Sequence, residues 1–114
     1  MGASTIDPFE TFWSQCGPIT ALAGYDASTS WIIDIKNEAN KAILVKNTGT
    51  SALTYQILAS IDNGVEFDIP FKGDTVVAPA AQSLYEFSNH FTNIKIQVKG
   101  VGGIAIIKAT ASGN

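Results

Sequence analysis

The sequence predicts an antiparallel β-sandwich of seven or eight short strands, and three observations lead there. From residue 31 onward, apolar and polar residues alternate at period two in short runs, the mark of half-buried strands. Turn residues separate those runs at spacings of about 8–12 residues, as in sandwiches and small barrels. No stretch keeps a helical period over a useful length, and 114 residues leave room for one core only.

The elements follow in order. Trp31, Ile33 and Ile35 share one face of a first strand, with Ile32, Asp34 and Lys36 opposite. Residues 37–40 (Asn-Glu-Ala-Asn) break it, and 42–46 form a mostly apolar run expected to be buried on both sides. Residues 47–51 (Asn-Thr-Gly-Thr-Ser) make a turn, because Asn and Gly accept positive φ and the hydroxyls bond nearby backbone. Leu53, Tyr55, Ile57, Ala59 and Ile61 then face one way, with Thr54, Gln56 and Ser60 opposite; Leu58 breaks the pattern. Asn63-Gly64 is the preferred pair for a type I′ hairpin turn. Phe67, Ile69 and Phe71 alternate with polar neighbours, and Pro70 places this strand at an edge or at its end. Lys72-Gly73-Asp74 reads as a turn into 75–77, and 78–81 as a bend. The last three strands are expected over 83–87, 93–99 and 104–110, joined by a glycine-rich hairpin at 100–103. The expected core is Trp31, Ile33, Tyr55, Ile57, Phe67, Ile94, Ile96 and Ile106.

Residues 1–30 have a different texture and divide the chain into a 1–30 arm or covering segment and a 31–114 sandwich. Phe9, Phe12, Trp13, Ile19, Leu22 and Tyr25 are large and apolar, without a clear period. Asp7-Pro8 predicts the cap of a short helix over 9–16, stopped by Gly17-Pro18. Aromatic-rich segments without structure of their own need a surface to bury them. That surface is either the open end of the chain's own sandwich or a neighbouring subunit. On the second reading the six residues form an oligomer or partner interface.

Composition narrows the function. Charged residues are only 15% of the chain, the net charge is −3, and all seven basic residues are lysine. Without arginine the chain lacks the usual bidentate reader of phosphate and guanine, so no nucleic-acid partner is expected. No run is long enough for a membrane helix, and the first residues lack a basic start followed by an apolar stretch. Synthesis in a reducing cytoplasm is therefore expected. One cysteine, Cys16, and one histidine, His90, supply neither a disulfide nor a closed zinc set. His90 beside Ser88 makes no triad, and Asp62, Asn63, Glu66 and Asp68 read as a solvated hairpin tip rather than a Ca²⁺ loop. No catalytic, cofactor-binding or metal-binding residue is assigned, and the expected protein is not an enzyme. Lys95, Lys99 and Lys108 are expected to solvate one sheet face.

The segments "VKNTGTSALTYQILASIDNG", "TVVAPAAQSLYEF", "NIKIQVKG" and "GIAIIKATAS" resemble the small immunoglobulin-like sandwiches of tailed-bacteriophage virion proteins. The resemblance covers about 65 residues, counted over 46–110, and rests on turn and strand patterns. It implies an immunoglobulin-like sandwich with a structural role: capsid decoration or cement, or a tail or neck component. It also implies a homo-oligomer, a trimer among the forms such proteins take, with the major capsid or other virion proteins as partners. No catalytic residue is implied. A different class, a carbohydrate-binding or adhesion module, would need exposed aromatics, for which Tyr25, Tyr85 and Phe91 are the candidates.

Overall fold

The computed structural model describes residues 11–35, 40–89 and 91–112. Eight strands stand among them: β1 (Thr11–Thr20), β2 (Ser30–Asp34), β3 (Asn40–Asn47), β4 (Leu53–Ser60), β5 (Ile69–Val77), β6 (Gln82–Phe87), β7 (Asn93–Lys99) and β8 (Ile104–Ser112). All ladders are antiparallel and build two sheets, ordered β1-β8-β3-β6 and β2-β7-β4-β5. The expected all-β sandwich is what forms.

Its wiring has a simple rule. β4 pairs with β5, β3 with β6, β2 with β7 and β1 with β8. The chain is thus one long nested hairpin, and its successive pairs fall alternately in the two sheets. β3–β8 and β4–β7 ladders then complete each sheet. Eight strands wound in this way make a jelly roll. This corrects the immunoglobulin-like expectation, whose sheets would run A-B-E-D and C-F-G. Both folds use short alternating strands at similar spacing, so alternation alone does not choose between them.

The largest correction lies at the start. Residues 11–20, expected within an irregular arm and partly as a helix, are strand β1 at the edge of the first sheet. A register shift between Cys16 and Ile19, at Gly17-Pro18, disguises the strand in the sequence. After the shift Ile19 pairs with Ala105 and packs against the core. The irregular stretch is the crossover 21–29. It ends in a 3-10 turn at Ala27–Thr29 with an Asp26 capping box: Ser28 N–H donates to Asp26 Oδ2 at 2.9 Å, and Asp26 N–H donates to Thr29 Oγ1 at 3.2 Å.

Between the sheets lie Ile33, Ile35, Ile43, Val45, Leu53, Tyr55, Ile57, Val77, Ile94, Ile96, Val98 and Ile107, all buried. Five expected core residues hold, and Trp31 packs against the cluster half-buried. Ile106 does not belong there, because it shares parity with Lys108, and the inward residues of β8 are Ala105, Ile107 and Ala109. Phe67 lies outside too, half-buried with the Lys95 ammonium 4.7 Å from its ring centroid. Ile61 falls beyond the end of β4 and is exposed. β3 is buried on one face only: Ile43, Val45 and Asn47 point inward while Ala42, Leu44 and Lys46 are half-exposed. Lys72-Gly73-Asp74 is not a turn but the middle of β5, an edge strand with two register shifts, one of which, between the Thr75 and Lys72 pairings, takes up Gly73 and Asp74. Pro70 sits in that edge strand, as its missing N–H requires.

Candidate interaction surfaces

Both ends of the sandwich are tied by polar side chains. At one end Asn47 is 1% exposed and uses both ends of its amide. Its Nδ2 donates to Ser51 O at 2.8 Å and Val77 O at 3.0 Å, while its Oδ1 accepts from Gly49 N–H at 2.9 Å and Ile104 N–H at 3.3 Å. One residue thus joins the 48–52 turn, the end of β5 and the start of β8. Gly49 is required beside it: a Cβ there would meet Gly102 O, and Ile104 N at 2.7 Å.

At the other end the β4–β5 loop is organised by Ser60 and Asp62. Ser60 Oγ donates to Asp62 Oδ1 at 2.6 Å and accepts from Gly64 N–H at 3.0 Å; Glu66 N–H donates to Asp62 Oδ1 at 3.0 Å. The Ser60 hydroxyl, then the Glu66 amide, hold the Asp62 carboxyl below the usual carboxylate range. Asn63 and Gly64 take positive φ (67° and 88°), and Val65 N–H closes on Asp62 O at 3.4 Å. That is the expected type I′ geometry, set at the tip of a longer loop because the strands pair only from Ala59 and Ile69.

The flank between β5 and β6 is closed by aromatic rings. Phe71 meets Tyr85, Phe87 and Phe91 edge-on at 5.6, 5.0 and 4.8 Å, and Lys72 caps the Tyr85 ring at 4.5 Å. Across the second sheet, the Tyr25 hydroxyl donates to Asp74 Oδ1 at 2.7 Å, with Lys99 4.6 Å from the Tyr25 ring centroid and 3.8 Å from Asp74 Oδ2. Partial burial, then the Asp74 carboxylate, push the Tyr25 phenol above the usual range. Tyr25, Tyr85 and Phe91 are therefore engaged by neighbouring side chains and do not form an open stacking platform.

Exposed large apolar residues lie both in connections (Leu22, Ile61, Val65 and Val101) and on strands (Ile32, Val76 and Leu84). On the first sheet Leu84 (60% exposed) pairs in register with Leu44, and Leu44 with Lys108. On the second, Ile32 (53%) and Leu58 flank Lys95 in one row. Parity carried this signal, since Leu84 falls between Gln82 and Glu86, and Ile32 shares its face with Asp34. Lys95 and Lys99 solvate the second sheet, but Lys108 lies on the first, so the three lysines do not share a face.

The six residues expected at an interface are dispersed. Phe9 lies outside the described residues. Phe12 and Trp13 are in β1, opposite Ala111 and Thr110. Ile19 packs on the core, Leu22 is exposed in the crossover, and Tyr25 is pinned to the second sheet. His90 is also outside the described residues. Among the described residues no three of His, Cys, Asp and Glu stand together, and no helix is long and apolar enough to cross a membrane. Burial pushes the Cys16 thiol up.

No protein-family profile matches the chain, and no curated protein sequence matches it. Solved structures do resemble it. The SPBc2 prophage-derived protein YomS matches with a TM-score of 0.56 at 11% identity, over 90% of this chain and 94% of that one. The K1 cleaved adhesin domain of Lys-gingipain from Porphyromonas gingivalis W83 matches with a TM-score of 0.50 at 12% identity, over 94% and 91%. At these identities the likeness is one of fold.

Proposed function

We propose that this protein is a non-enzymatic structural protein of a tailed-phage virion, a decoration or cement protein that binds the capsid shell and stabilises it through subunit contacts. The observation that carries the reading is the distribution of side chains. Inside, the sandwich is packed, its ends are tied by Asn47 and Asp62, and one flank is filled with rings. Outside, Leu84 stands beside Leu44 on the first sheet, and Ile32 and Leu58 stand about Lys95 on the second, so each outer face carries an apolar row partly open to water. Exposed apolar residues on a rigid sheet suit contact with another protein rather than chemistry on a small molecule. Jelly rolls build viral capsids, and the fold likeness to a prophage-derived protein agrees, although folds alone do not assign functions. On this reading the chain is made in the host cytoplasm, self-associates, and ends in the particle. Phe9, Phe12, Trp13 and Leu22 then contribute to the partner contact.

The test is co-sedimentation of the purified protein with capsids of the phage that carries its gene, with capsid rupture temperature as the readout. The expected result is saturable binding and a raised rupture temperature, both weakened by Leu84→Glu and by deletion of residues 1–10, which leaves every described strand in place. Protein left in the supernatant, with rupture unchanged, overturns the reading. A glycan array run in parallel tests the adhesion alternative. Binding lost in Tyr85→Ala would favour that alternative, against the capped position of the ring.

A further inference from the structure

We propose that β1 pairs antiparallel with the β1 of a second copy, joining two four-stranded sheets into one continuous eight-stranded sheet. The inference deepens the assembly reading above and names the surface. β1 ends the order β1-β8-β3-β6, so along its outer side alternate N–H and C=O groups have no strand partner among the described residues. Residues 11–16 keep unbroken register with β8, from Thr11 opposite Ser112 to Cys16 opposite Ile107, and the shift at Gly17-Pro18 bounds the segment.

The four sheet edges differ in how they discourage pairing. β5 carries Pro70 and two register shifts. β6 carries Glu86, and its rings close against Phe71 of β5. β2 is five residues long and ends in Asp34. Lysine, proline, inward charges, bulges and shortness are the usual protections of an edge. β1 also carries a proline and a register shift, at Gly17-Pro18, but both fall in its second half, and the segment Thr-Phe-Trp-Ser-Gln-Cys at 11–16 has no charge and no proline.

The same feature selects the occupant. An uncharged segment can lie against its own copy without like-charge repulsion, and antiparallel pairing of a segment with itself is what a two-fold axis produces.

The experiment is light scattering after size exclusion on the wild-type full chain, from roughly 1 to 100 µM to bracket a micromolar dimer, with amide hydrogen exchange at the same concentrations. The expected result is a mass rising to twice the monomer, with amides of 11–16 slowing in step while the 93–99 amides of β7 stay unchanged. Gln15→Pro should restore the monomer with a native circular-dichroism spectrum. A monomer throughout overturns the inference, whether its 11–16 amides are exposed or already protected by the chain itself. A dimer or larger ring whose 11–16 amides do not respond also overturns it, yet leaves the assembly reading standing. Loss of capsid binding with this dimer intact would overturn the assembly reading instead.

Discussion

Asn47→Ala should be among the most damaging polar-to-alanine changes in the chain. The side chain is buried, and four backbone groups from three segments lose their partner at once. Val77 O is fully buried, so leaving it unpaired costs about 1–3 kcal/mol. The other three groups are partly buried and admit some water, so each loses about 0.5–1.5 kcal/mol. The Ile104 bond is long, which places the total near the low end, at about 3–4 kcal/mol. With about 2.1 cal/mol/K of unfolding entropy per residue over 114 residues, the melting midpoint should fall by about 12–17 °C. Urea titration followed by tryptophan fluorescence, beside thermal melting, measures both quantities. Gln97→Ala is the control, since its partner Gln56 lies on the outer face of the second sheet. A loss below about 1 kcal/mol would show that water takes over the four bonds, and would refute the assignment of Asn47 as the tie between these loops.

Other outcomes are expected. Asp62 has its folded pKa lowered, so its contribution is present above the ordinary carboxylate range and lost as pH falls through the lowered value. The gap in urea midpoint between wild type and Asp62→Asn should therefore close on going from pH 7 to about pH 2, and a constant gap would refute the network. Tyr25 has its phenol raised, so the fold should lose stability as pH climbs past the ordinary tyrosine value of about 10. Tyr25→Phe should remove that loss, and the ultraviolet titration difference between wild type and Tyr25→Phe should show a phenol ionising late. Gly49→Ala should lower the melting midpoint far more than Gly24→Ala, where a Cβ meets nothing within 4 Å; equal effects would refute the close approach at Gly49.

What the sequence made legible follows from local physics. Period two marked β4 and β7 because one face of each is fully buried, and Asn63-Gly64 announced its turn because both residues take positive φ. Pro70 announced an edge. β1 was hidden because Gly17-Pro18 shifts its parity midway, so neither half reads as a strand with a consistent face. Ile106 was misplaced because 104–107 is apolar on both sides, and only Lys108 reveals the outward parity. Lys72-Gly73-Asp74 has the residues of a turn, but an edge strand can carry them in register shifts. The jelly-roll wiring was out of reach for a different reason, since pairing partners are fixed by which ladders nest and not by the alternation inside a strand. The outer-face leucine at position 84 was readable by parity against Gln82 and Glu86, whereas the engagement of Tyr25 by Asp74 depends on residues 49 positions apart.

The nested-hairpin wiring also gives the molecule a polarity. Because β1 pairs with β8, Thr11 lies opposite Ser112, and the chain enters and leaves the fold at one corner. That corner is at the end carrying the Asp62 loop, since Ser60 pairs with Asn93 there; the Asn47 end carries only internal connections. Anything tethered to either side of the sandwich is held to the same pole, and the opposite pole can be presented outward without a strand having to move. The fold is in this sense a ring lacking one short link. Joining 112 to 11 and reopening the ring at Asn63-Gly64 should give a permuted chain with the same two sheets and its tethers transferred within the same pole.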